Sequence, residues 1–378
     1  MNVIWSAASG EFELHRYPKG QHDKSLQAWD SADELLVEHC QQAVPQDESI
    51  LILNDMFGAL SVGLNQFERT VVTDSEISKR AIIQNCEANN LAAPAVLDSL
   101  EPWPECQTVL LKLTKNIGYL EFQLRQIAQL SHSVGVIATG KTTLVTSSVL
   151  RLFEKYLRDV TTSFAKKKSR LIFAQHTSPQ TLDVKYPTCV KWPEKRLTLL
   201  AHANVFCKDQ IDIGGRFLAD NLPGFTPGQT VIDLGCGNGL LGLCALRASQ
   251  NNGTRLNLVF CDESFMAVES ARLNVEANFA DSLGNCQFIQ DDCLSTLESG
   301  SADIILCNPP FHQQNTITEH IAEQMFYDAK RVLKKQGELY VVANRHLPYQ
   351  KALKKHFGGF SLATQNNKFV IYRCHKRK

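Results

Sequence analysis

The fold of this chain is indicated most clearly by one stretch of its sequence, Thr230-Val231-Ile232-Asp233-Leu234-Gly235-Cys236-Gly237-Asn238-Gly239. Its first five residues are a short apolar run that predicts a buried strand, and the apolar residues 240–246 predict a helix after the glycines. A strand, a glycine-rich turn and a helix in this order place backbone N–H groups at the carboxyl edge of a parallel sheet. Because glycine has no Cβ, a ligand can lie directly against this turn.

Two carboxylates accompany the glycine turn. Asp233 precedes the first glycine by two residues and is placed to face an ammonium group, and Asp262 ends the next predicted strand, where it suits ribose hydroxyls. The turn lacks the G-x-G-x-x-G spacing of a dinucleotide site, so NAD binding is disfavoured. The pattern instead predicts a nucleoside with a cationic amino-acid arm, bound by the two acids and by Gly235, Cys236, Gly237 and Gly239.

A further acidic pair follows the apolar residues Phe288-Ile289. Asp292 is a candidate to bind an adenine amino group, because a carboxylate accepts the hydrogen bonds that this group donates. Asp291 is an alternative that the sequence hardly separates from it. An acidic loop that binds no ligand explains the pair about equally well.

The motif Asn308-Pro309-Pro310-Phe311 follows an apolar strand directly, so it belongs to the same carboxyl edge as the glycine turn. The prolines remove N–H donors and leave carbonyl acceptors in a stiff loop, and the amide oxygen of Asn308 adds another acceptor. Such acceptors would hold the NH₂ group of a base and raise its reactivity toward a methyl sulfonium, while Phe311 is placed to stack on the base. These four residues are the predicted catalytic residues, and His312 is not included.

The same order of signals occurs twice. Residues 50–55 form an apolar run like that at residues 230–234, and Asn85-Cys86-Glu87-Ala88-Asn89 mirrors Asn274-Val275-Glu276-Ala277-Asn278. Strands alternating with helices in both halves predict an α/β protein with two tandem Rossmann-like folds, each with a parallel, doubly wound sheet. The predicted domains are residues 1–188 and 189–378, because proline and lysine residues interrupt the pattern near this boundary.

The first copy lacks the residues of a working site. Met56 and Leu60 stand where two glycines are expected, so that side chains would occupy the space of a cofactor. In addition, Lys112-Leu113-Thr114-Lys115 replaces Asn-Pro-Pro-Phe. Lys112 and Lys115 would suit contacts with RNA phosphates. An equal alternative is that they are ordinary surface lysines. The N-terminal copy is therefore predicted to be degenerate and the C-terminal copy intact.

The composition is that of an ordinary globular protein, with 44% hydrophobic residues and a formal net charge of zero. A nucleic-acid contact must therefore use a local patch, either Lys166-Lys167-Lys168 and the lysines after it or the basic C-terminal residues 351–378, unless both are simply solvated. The twelve cysteines show no C-x-x-C pair and no metal-ligand spacing with histidine, which predicts reduced thiols and no metal. Without a signal-like start or a long apolar stretch, we expect a cytoplasmic protein that does not contact membranes.

At these residues the chain resembles the bacterial ribosomal RNA guanine-N2 methyltransferases. The resemblance is carried by residues 231–239 and 308–312, and it extends to Asn204-Val205-Phe206, Asp212-Ile213-Gly214, Asn344-Arg345-His346 and Asn366-Asn367-Lys368. Gln313-Gln314 and the last two motifs favour the members that act on the large subunit. The resemblance implies S-adenosylmethionine as cofactor and methylation of a guanine N2 in 23S ribosomal RNA, either naked or in an assembled subunit. It also implies that both Rossmann-like folds are of the class I methyltransferase type, and that the N-terminal domain helps to hold RNA without binding the cofactor.

Other interpretations stay open at this point. The loop at residues 308–311 is also similar to that of adenine-N6 and protein glutamine-N5 methyltransferases, since each target presents an NH₂ on a planar conjugated group. A guanine N2 of 16S ribosomal RNA is a further alternative. The non-enzyme interpretation is an RNA-binding assembly scaffold built on two inactive folds, and the intact second copy argues against it.

Overall fold

The computed structural model describes residues 3–18, 26–310 and 316–377. The chain divides into two compact units, Met1–Lys185 and Tyr186–Lys378. Each unit contains a seven-stranded sheet, with helices packed on both faces, and a two-stranded antiparallel hairpin. The predicted α/β class with two tandem Rossmann-like folds is confirmed.

The first unit begins with the hairpin and continues with alternating strands and helices. Its sheet has the order β5-β4-β3-β6-β7-β9-β8. The elements are β1 Ile4–Ala7, β2 Gly10–Glu13, α1 Ser31–Ala43, β3 Ser49–Leu53, α2 Ala59–Gly63, β4 Glu68–Thr73, α3 Glu76–Ala88, β5 Ala95–Asp98, β6 Thr108–Lys112, α4 Ile117–Ala128, β7 Val134–Lys141, α5 Ser147–Tyr156, β8 Arg158–Thr162 and β9 Ser169–His176.

The second unit repeats this plan, with the sheet order β14-β13-β12-β15-β16-β18-β17. Short 3₁₀ turns occur at Pro193–Lys195 and Ala280–Asn285. The elements are β10 Thr188–Trp192, β11 Leu197–Ala201, α6 Ile213–Ala219, β12 Thr230–Leu234, α7 Leu240–Asn251, β13 Asn257–Asp262, α8 Phe265–Phe279, β14 Cys286–Gln290, β15 Ala302–Cys307, α9 Thr316–Val332, β16 Leu333–Asn344, α10 Tyr349–Phe357, β17 Ser361–Gln365 and β18 Phe369–His375.

Strand β12 shows why this sequence forms a central strand. Val231 packs into the core on one face of the sheet, and Ile232 and Leu234 pack into the core on the other. All three are at most 1% exposed, as expected for a strand covered by helices on both sides. Its neighbours β13 and β15 run parallel to it, so their carboxyl ends meet at one edge.

The prediction of purely parallel sheets is wrong for the last two strands of each unit. In the second unit, β18 runs antiparallel to both β16 and β17. Only residues 366–368 connect β17 to β18, and a connection this short can join only antiparallel neighbours. The first unit has the same arrangement at β7, β9 and β8.

Paired asparagines attach each hairpin to its unit. The Asn274 side chain accepts from the N–H of Leu200 in β11 and donates to the carbonyl oxygen of the same residue, at 2.6 and 2.8 Å. Its amide also donates to the carbonyl oxygen of Asn238 in the glycine turn, at 2.8 Å. Asn85 makes the same three bonds, to His15 and Phe57. The mirrored motifs therefore reflect one structural device used twice.

Within the described part of the chain, no helix combines the length and apolar character needed to cross a membrane.

Candidate functional site

The glycine turn lies at the carboxyl edge of the second sheet. Gly235, Gly237 and Gly239 have φ values of 69°, 54° and 82°, a left-handed conformation that side chains disfavour. A Cβ on Gly239 would lie 3.0 Å from the Cβ of Ala271, so this glycine allows α7 and α8 to pack closely. A Cβ on Gly237 would meet no atom within 4 Å. The turn therefore borders open space at Gly237.

Asp262 reaches this turn from the end of β13. Its carboxylate accepts from the N–H of Gly237 at 2.9 Å and from the N–H of Ser264 at 3.0 Å. Asp262 is partly exposed. The structure thus brings the acid predicted for ribose hydroxyls against the turn that borders the open space.

Asp233 lies beneath the turn and is only 1% exposed. Its carboxylate accepts from the N–H of Gly242 in the first turn of α7, at 2.8 Å, a role that the sequence did not predict. Burial raises the pKa of Asp233 to about 8, and the Gly242 N–H opposes this rise. A cation next to Asp233 would lower this pKa. The predicted contact with an ammonium group would therefore favour the ionised form of Asp233.

The two neighbouring acids at residues 291 and 292 have different partners. The Asp291 carboxylate accepts from the hydroxyls of Ser295 and Thr296 and from the N–H of Thr296, so it holds its own loop together. Asp292 accepts from the Gln324 side chain at 3.1 Å. Asp292 therefore has more remaining acceptor capacity, which favours it over Asp291 as a ligand-binding residue.

Cys236 lies inside the glycine turn with its side chain buried. Its thiol contacts the carbonyl oxygen of Gly237 at 3.6 Å, and its N–H donates to the carbonyl oxygen of Cys261 at 3.1 Å. Burial raises the pKa of this thiol well above its usual value. The thiol of Cys236 is therefore neutral and packed inside the turn, and the predicted contact of Cys236 with a cofactor stays a prediction.

Asn308 follows β15 at the same carboxyl edge. Its Nδ2 donates to Oδ2 of Asp212 at 2.8 Å, which fixes the orientation of the amide. Its Oδ1 is buried and has no hydrogen-bond partner among the described residues. A buried acceptor without a partner is costly, so this atom marks a place for a ligand that donates a hydrogen bond.

The rest of the predicted catalytic loop is only partly described. Pro309 is buried, and the carbonyl oxygen of Pro310 accepts from the hydroxyl of Tyr349 at 3.3 Å. The Tyr349 ring packs edge-on against Phe326, which anchors the loop to α9 and α10. Phe311 lies outside the described residues, so its predicted stacking on a base stays a prediction.

Asp212 is a site residue that the sequence reasoning missed. It caps the N-terminus of α6 by accepting from the N–H of Gly215 at 2.5 Å, with the same oxygen that holds Asn308. A Cβ on Gly215 would lie 2.8 Å from Cδ2 of Leu240 and 3.1 Å from Oδ2 of Asp212, so a side chain there would displace one or both of these groups. The motif Asp212-Ile213-Gly214 was the available signal, although nothing in it names Asn308 as the partner.

The strand register identifies the equivalent positions in the first unit. Leu53 pairs with Leu111 as Leu234 pairs with Cys307, so Lys112 takes the place of Asn308. Lys112 donates to both carboxylate oxygens of Asp33 at 2.6 Å, and both side chains are largely buried. Lys112 is therefore not available to RNA phosphates, and this prediction is wrong for Lys112. Lys115 is exposed.

The predicted correspondence of Leu60 with a glycine is also wrong. Gly58 and Gly239 both have φ of 82° and both precede a helix, so Met56 corresponds to Gly237. Asn54, with φ of 69°, corresponds to Gly235, because asparagine tolerates the left-handed conformation. Leu60 is instead a core residue of α2. The other half of the prediction holds, because Met56 does stand where the second unit has a glycine, and the Met56 side chain is 51% exposed.

The basic run at residues 166–168 is largely neutralised. Lys166 pairs with Glu38 at 2.6 Å, and Lys167 pairs with Glu34 at 2.7 Å, both acids on α1. These lysines are therefore weaker candidates for an RNA contact than the sequence suggested.

Comparison with known proteins identifies the family. Residues 2–178 match the RLMG N-terminal domain, and residues 196–373 match the Methyltransferase small domain. Ribosomal RNA large subunit methyltransferase G from Pseudoalteromonas translucida is 44% identical over 373 residues, with 97% of this chain and 96% of that protein covered. The protein of the same name from Aeromonas salmonicida is 44% identical over 388 residues, and the match covers 100% of both chains. The chain belongs to the ribosomal RNA large subunit methyltransferase G family.

A solved structure has the same tandem fold as this member of the methyltransferase G family. The T. Thermophilus 16S rRNA methyltransferase RsmC, in complex with AdoMet and guanosine, matches with a TM-score of 0.77. It is 20% identical and covers 99% of this chain and 97% of its own. The solved structure supports the fold, while the family models and the 44% identical relatives confirm the resemblance at the level of family, and the protein is a methyltransferase.

Proposed function

We propose that this protein is an S-adenosylmethionine-dependent methyltransferase that modifies the exocyclic N2 of a guanine in 23S ribosomal RNA. The observation that carries the proposal is the buried Oδ1 of Asn308, which has no partner among the described residues. The RNA target is supported by the names of relatives that are 44% identical over nearly the whole chain. The choice of guanine N2 is supported by the resemblance of the motifs at residues 231–239 and 308–312.

Asn308 is the residue that would bind the target amine. Because Asp212 accepts from Nδ2, the orientation of the amide is fixed, and its buried, partnerless Oδ1 accepts a hydrogen bond from a donor such as NH₂. The lone pair of a base amine is delocalised into the ring, which makes the nitrogen a weak nucleophile. An acceptor for one of its N–H groups favours tetrahedral nitrogen and stabilises the positive charge that develops there.

The residues around the glycine turn fit S-adenosylmethionine. This cofactor supplies a methyl group attached to a positively charged sulfur. Gly237 leaves room for it against the backbone, and Asp262 can accept from its ribose hydroxyls. Asp233 beneath the turn and Asp292 beside Gln324 are the proposed partners of its ammonium and adenine amino groups.

The proposed partner is the RNA itself, without a membrane or a metal. We propose naked 23S ribosomal RNA over the assembled subunit as substrate, and a cytoplasmic location, where this RNA is made. The N-terminal unit, whose equivalent of the site holds Met56 and the Lys112–Asp33 pair, would support RNA binding without a cofactor.

The central test is Asn308→Ala in the full chain. We expect the affinity for S-adenosylmethionine, measured by calorimetry, to be unchanged, because the side-chain hydrogen bond of Asn308 is made to Asp212, the N-cap of α6. Turnover on protein-free 23S ribosomal RNA should fall about 10²–10³-fold, the loss typical for one transition-state hydrogen bond. Mass spectrometry of the product should show N2-methylguanine in the unaltered protein.

Matched cap variants provide the control. Asp212→Ser keeps a side chain that caps α6 but is too short to hold Asn308, so turnover should fall while the thermal unfolding temperature changes little. Asp30→Ser alters the cap of α1, the equivalent helix of the other unit, and should leave turnover unchanged. Near-normal turnover of Asn308→Ala would contradict the proposed role. Failure of the unaltered protein to bind S-adenosylmethionine would support the scaffold interpretation.

A further inference from the structure

The charge of this chain is distributed very unevenly along its length. Its last acidic residue is Glu338, although the whole chain has equal numbers of acidic and basic residues. The residues after Glu338 include nine basic side chains, namely Arg345, Lys351, Lys354, Lys355, Lys368, Arg373, Lys376, Arg377 and Lys378. A neutral protein therefore has a strongly basic C-terminal segment within its catalytic unit.

Three of these side chains belong to the carboxyl edge of the sheet. Arg345 directly follows β16, which runs parallel to β15, the strand that leads to Asn308. Lys368 lies in the β17–β18 connection, and its carbonyl oxygen accepts from the N–H of Arg345 at 3.1 Å. Lys351 lies in the first turn of α10, two residues after Tyr349, whose hydroxyl donates to Pro310. We call Arg345, Lys351 and Lys368 the basic rim.

The basic rim differs in its partners from Lys355 and Arg373 of the same segment. All three rim residues are exposed, and none has an acidic partner among the described residues. In contrast, Arg373 pairs with Glu338, and Lys355 pairs with Glu323. The positive charge at the carboxyl edge is therefore uncompensated, while the charge elsewhere in the segment is partly neutralised.

The basic rim is also connected rigidly to the site. Phe369, next to Lys368, stacks on Phe217 of α6 at 6.1 Å between ring centroids. The same helix begins at Asp212, which holds Asn308. The Asn366 side chain accepts from the N–H groups of Lys368 and Phe369, at 2.8 and 2.7 Å, and fixes the turn. The rim and the catalytic amide thus keep a defined relative position.

We propose that the basic rim binds backbone phosphates of the RNA strand that carries the target nucleotide. The inference deepens the proposed function and rests on it for the identity of the RNA. Exposed cations that flank a buried hydrogen-bond acceptor suit a strand whose phosphates stay outside while one base enters the site. The rim sets the register of the strand, and Asn308 selects the amine.

The test compares two triple variants of the full chain. Arg345→Ala/Lys351→Ala/Lys368→Ala removes the rim. Lys334→Ala/Lys355→Ala/Arg373→Ala removes the same charge from side chains that pair with Asp303, Glu323 and Glu338. Fluorescence anisotropy with poly(U) and with protein-free 23S ribosomal RNA gives the affinity over a range of salt concentrations. Poly(U) reports phosphate binding even if the methylated RNA is a different one.

We expect the rim variant to bind both RNAs at least tenfold more weakly at low salt. Its plot of log affinity against log salt should be shallower by about 2, since each single-strand phosphate contact contributes roughly 0.7 to the slope. Its affinity for S-adenosylmethionine should be unchanged. If the two triple variants show equal slopes of log affinity against log salt, the rim does not bind RNA phosphates. If the salt dependence of the rim variant is shallower by about 2 as expected, but the unaltered protein does not methylate 23S ribosomal RNA, the proposed substrate is wrong and the proposed phosphate binding by the rim is supported.

Discussion

At the residue scale, the comparison of Gly237 with Met56 shows how one side chain separates the two units. Both residues lie two positions before the glycine that begins a helix, at the carboxyl edge of the sheet. Gly237 leaves open space where a Cβ would stand, whereas the partly exposed Met56 extends from the equivalent position. The second unit thus has open space at this position of the turn, and the first unit has a side chain there.

We expect Gly237→Met to abolish the binding of S-adenosylmethionine, as measured by calorimetry. The matched control is Gly358→Met, because Gly358 also has a left-handed φ, of 74°, and also has no atom within 4 Å of its Cβ position. Both substitutions should cost a similar amount of backbone strain, about 1–2 kcal/mol, and lower the unfolding temperature alike. If both variants bind the cofactor equally well, the open space at Gly237 is not its site.

The sequence was informative at this scale where a motif directly follows a strand. Asn308 was predicted as an acceptor because the apolar strand before it places it at the carboxyl edge. Asp212 was missed because the bond between them joins residues 96 positions apart, and only the folded chain brings them together. The Leu60 prediction failed because the residue equivalent to Gly239 is Gly58, which caps α2, and the sequence alone did not show where this helix begins.

At the element scale, Asn274 joins the β10–β11 hairpin, α8 and the glycine turn. Its side chain is completely buried and makes three hydrogen bonds to backbone atoms of Leu200 and Asn238. Asn278, one turn later on α8, makes the corresponding bonds to Thr198 but none to the glycine turn. Both asparagines thus hold the hairpin, and Asn274 also holds the glycine turn.

We predict that Asn274→Ala lowers the free energy of unfolding by about 2–4 kcal/mol, because three buried backbone groups lose their partner. It should also weaken S-adenosylmethionine binding, since Asn238 belongs to the glycine turn. Asn278→Ala should be destabilising without a change in cofactor affinity. Denaturant unfolding and calorimetry measure the two effects separately. Equal cofactor affinity in both variants would show that the bond to Asn238 does not support the site.

The elements themselves were predicted in part. The repeated motif around Asn85 and Asn274 revealed two copies of one plan, because identical spacing on a helix reflects identical partners. The hairpins were missed because they are attached to each unit by asparagines that lie about 70 residues further along the chain. The antiparallel end of each sheet was missed although the short connection at residues 366–368 indicated it.

At the scale of the whole molecule, the two units differ in more than the glycine turn. Asp33 and Lys112 form a buried ion pair where the second unit has Gly215 and Asn308. The Asp55 carboxylate, at the position of Cys236, accepts from the N–H groups of Gly58 and Ser61. Several side chains have therefore replaced the site in the first unit, and they stabilise one another.

We therefore predict that the full chain binds one S-adenosylmethionine and that Met56→Gly still binds only one. Removing Met56 restores the open space at the turn, but Ile52 occupies the strand position of Asp233, so the carboxylate proposed to bind the ammonium group is still missing. Calorimetric stoichiometry measures the outcome, with Gly237→Met as the variant expected to bind none. A stoichiometry of two for Met56→Gly would mean that the methionine alone prevents cofactor binding in the first unit and that the missing carboxylate does not.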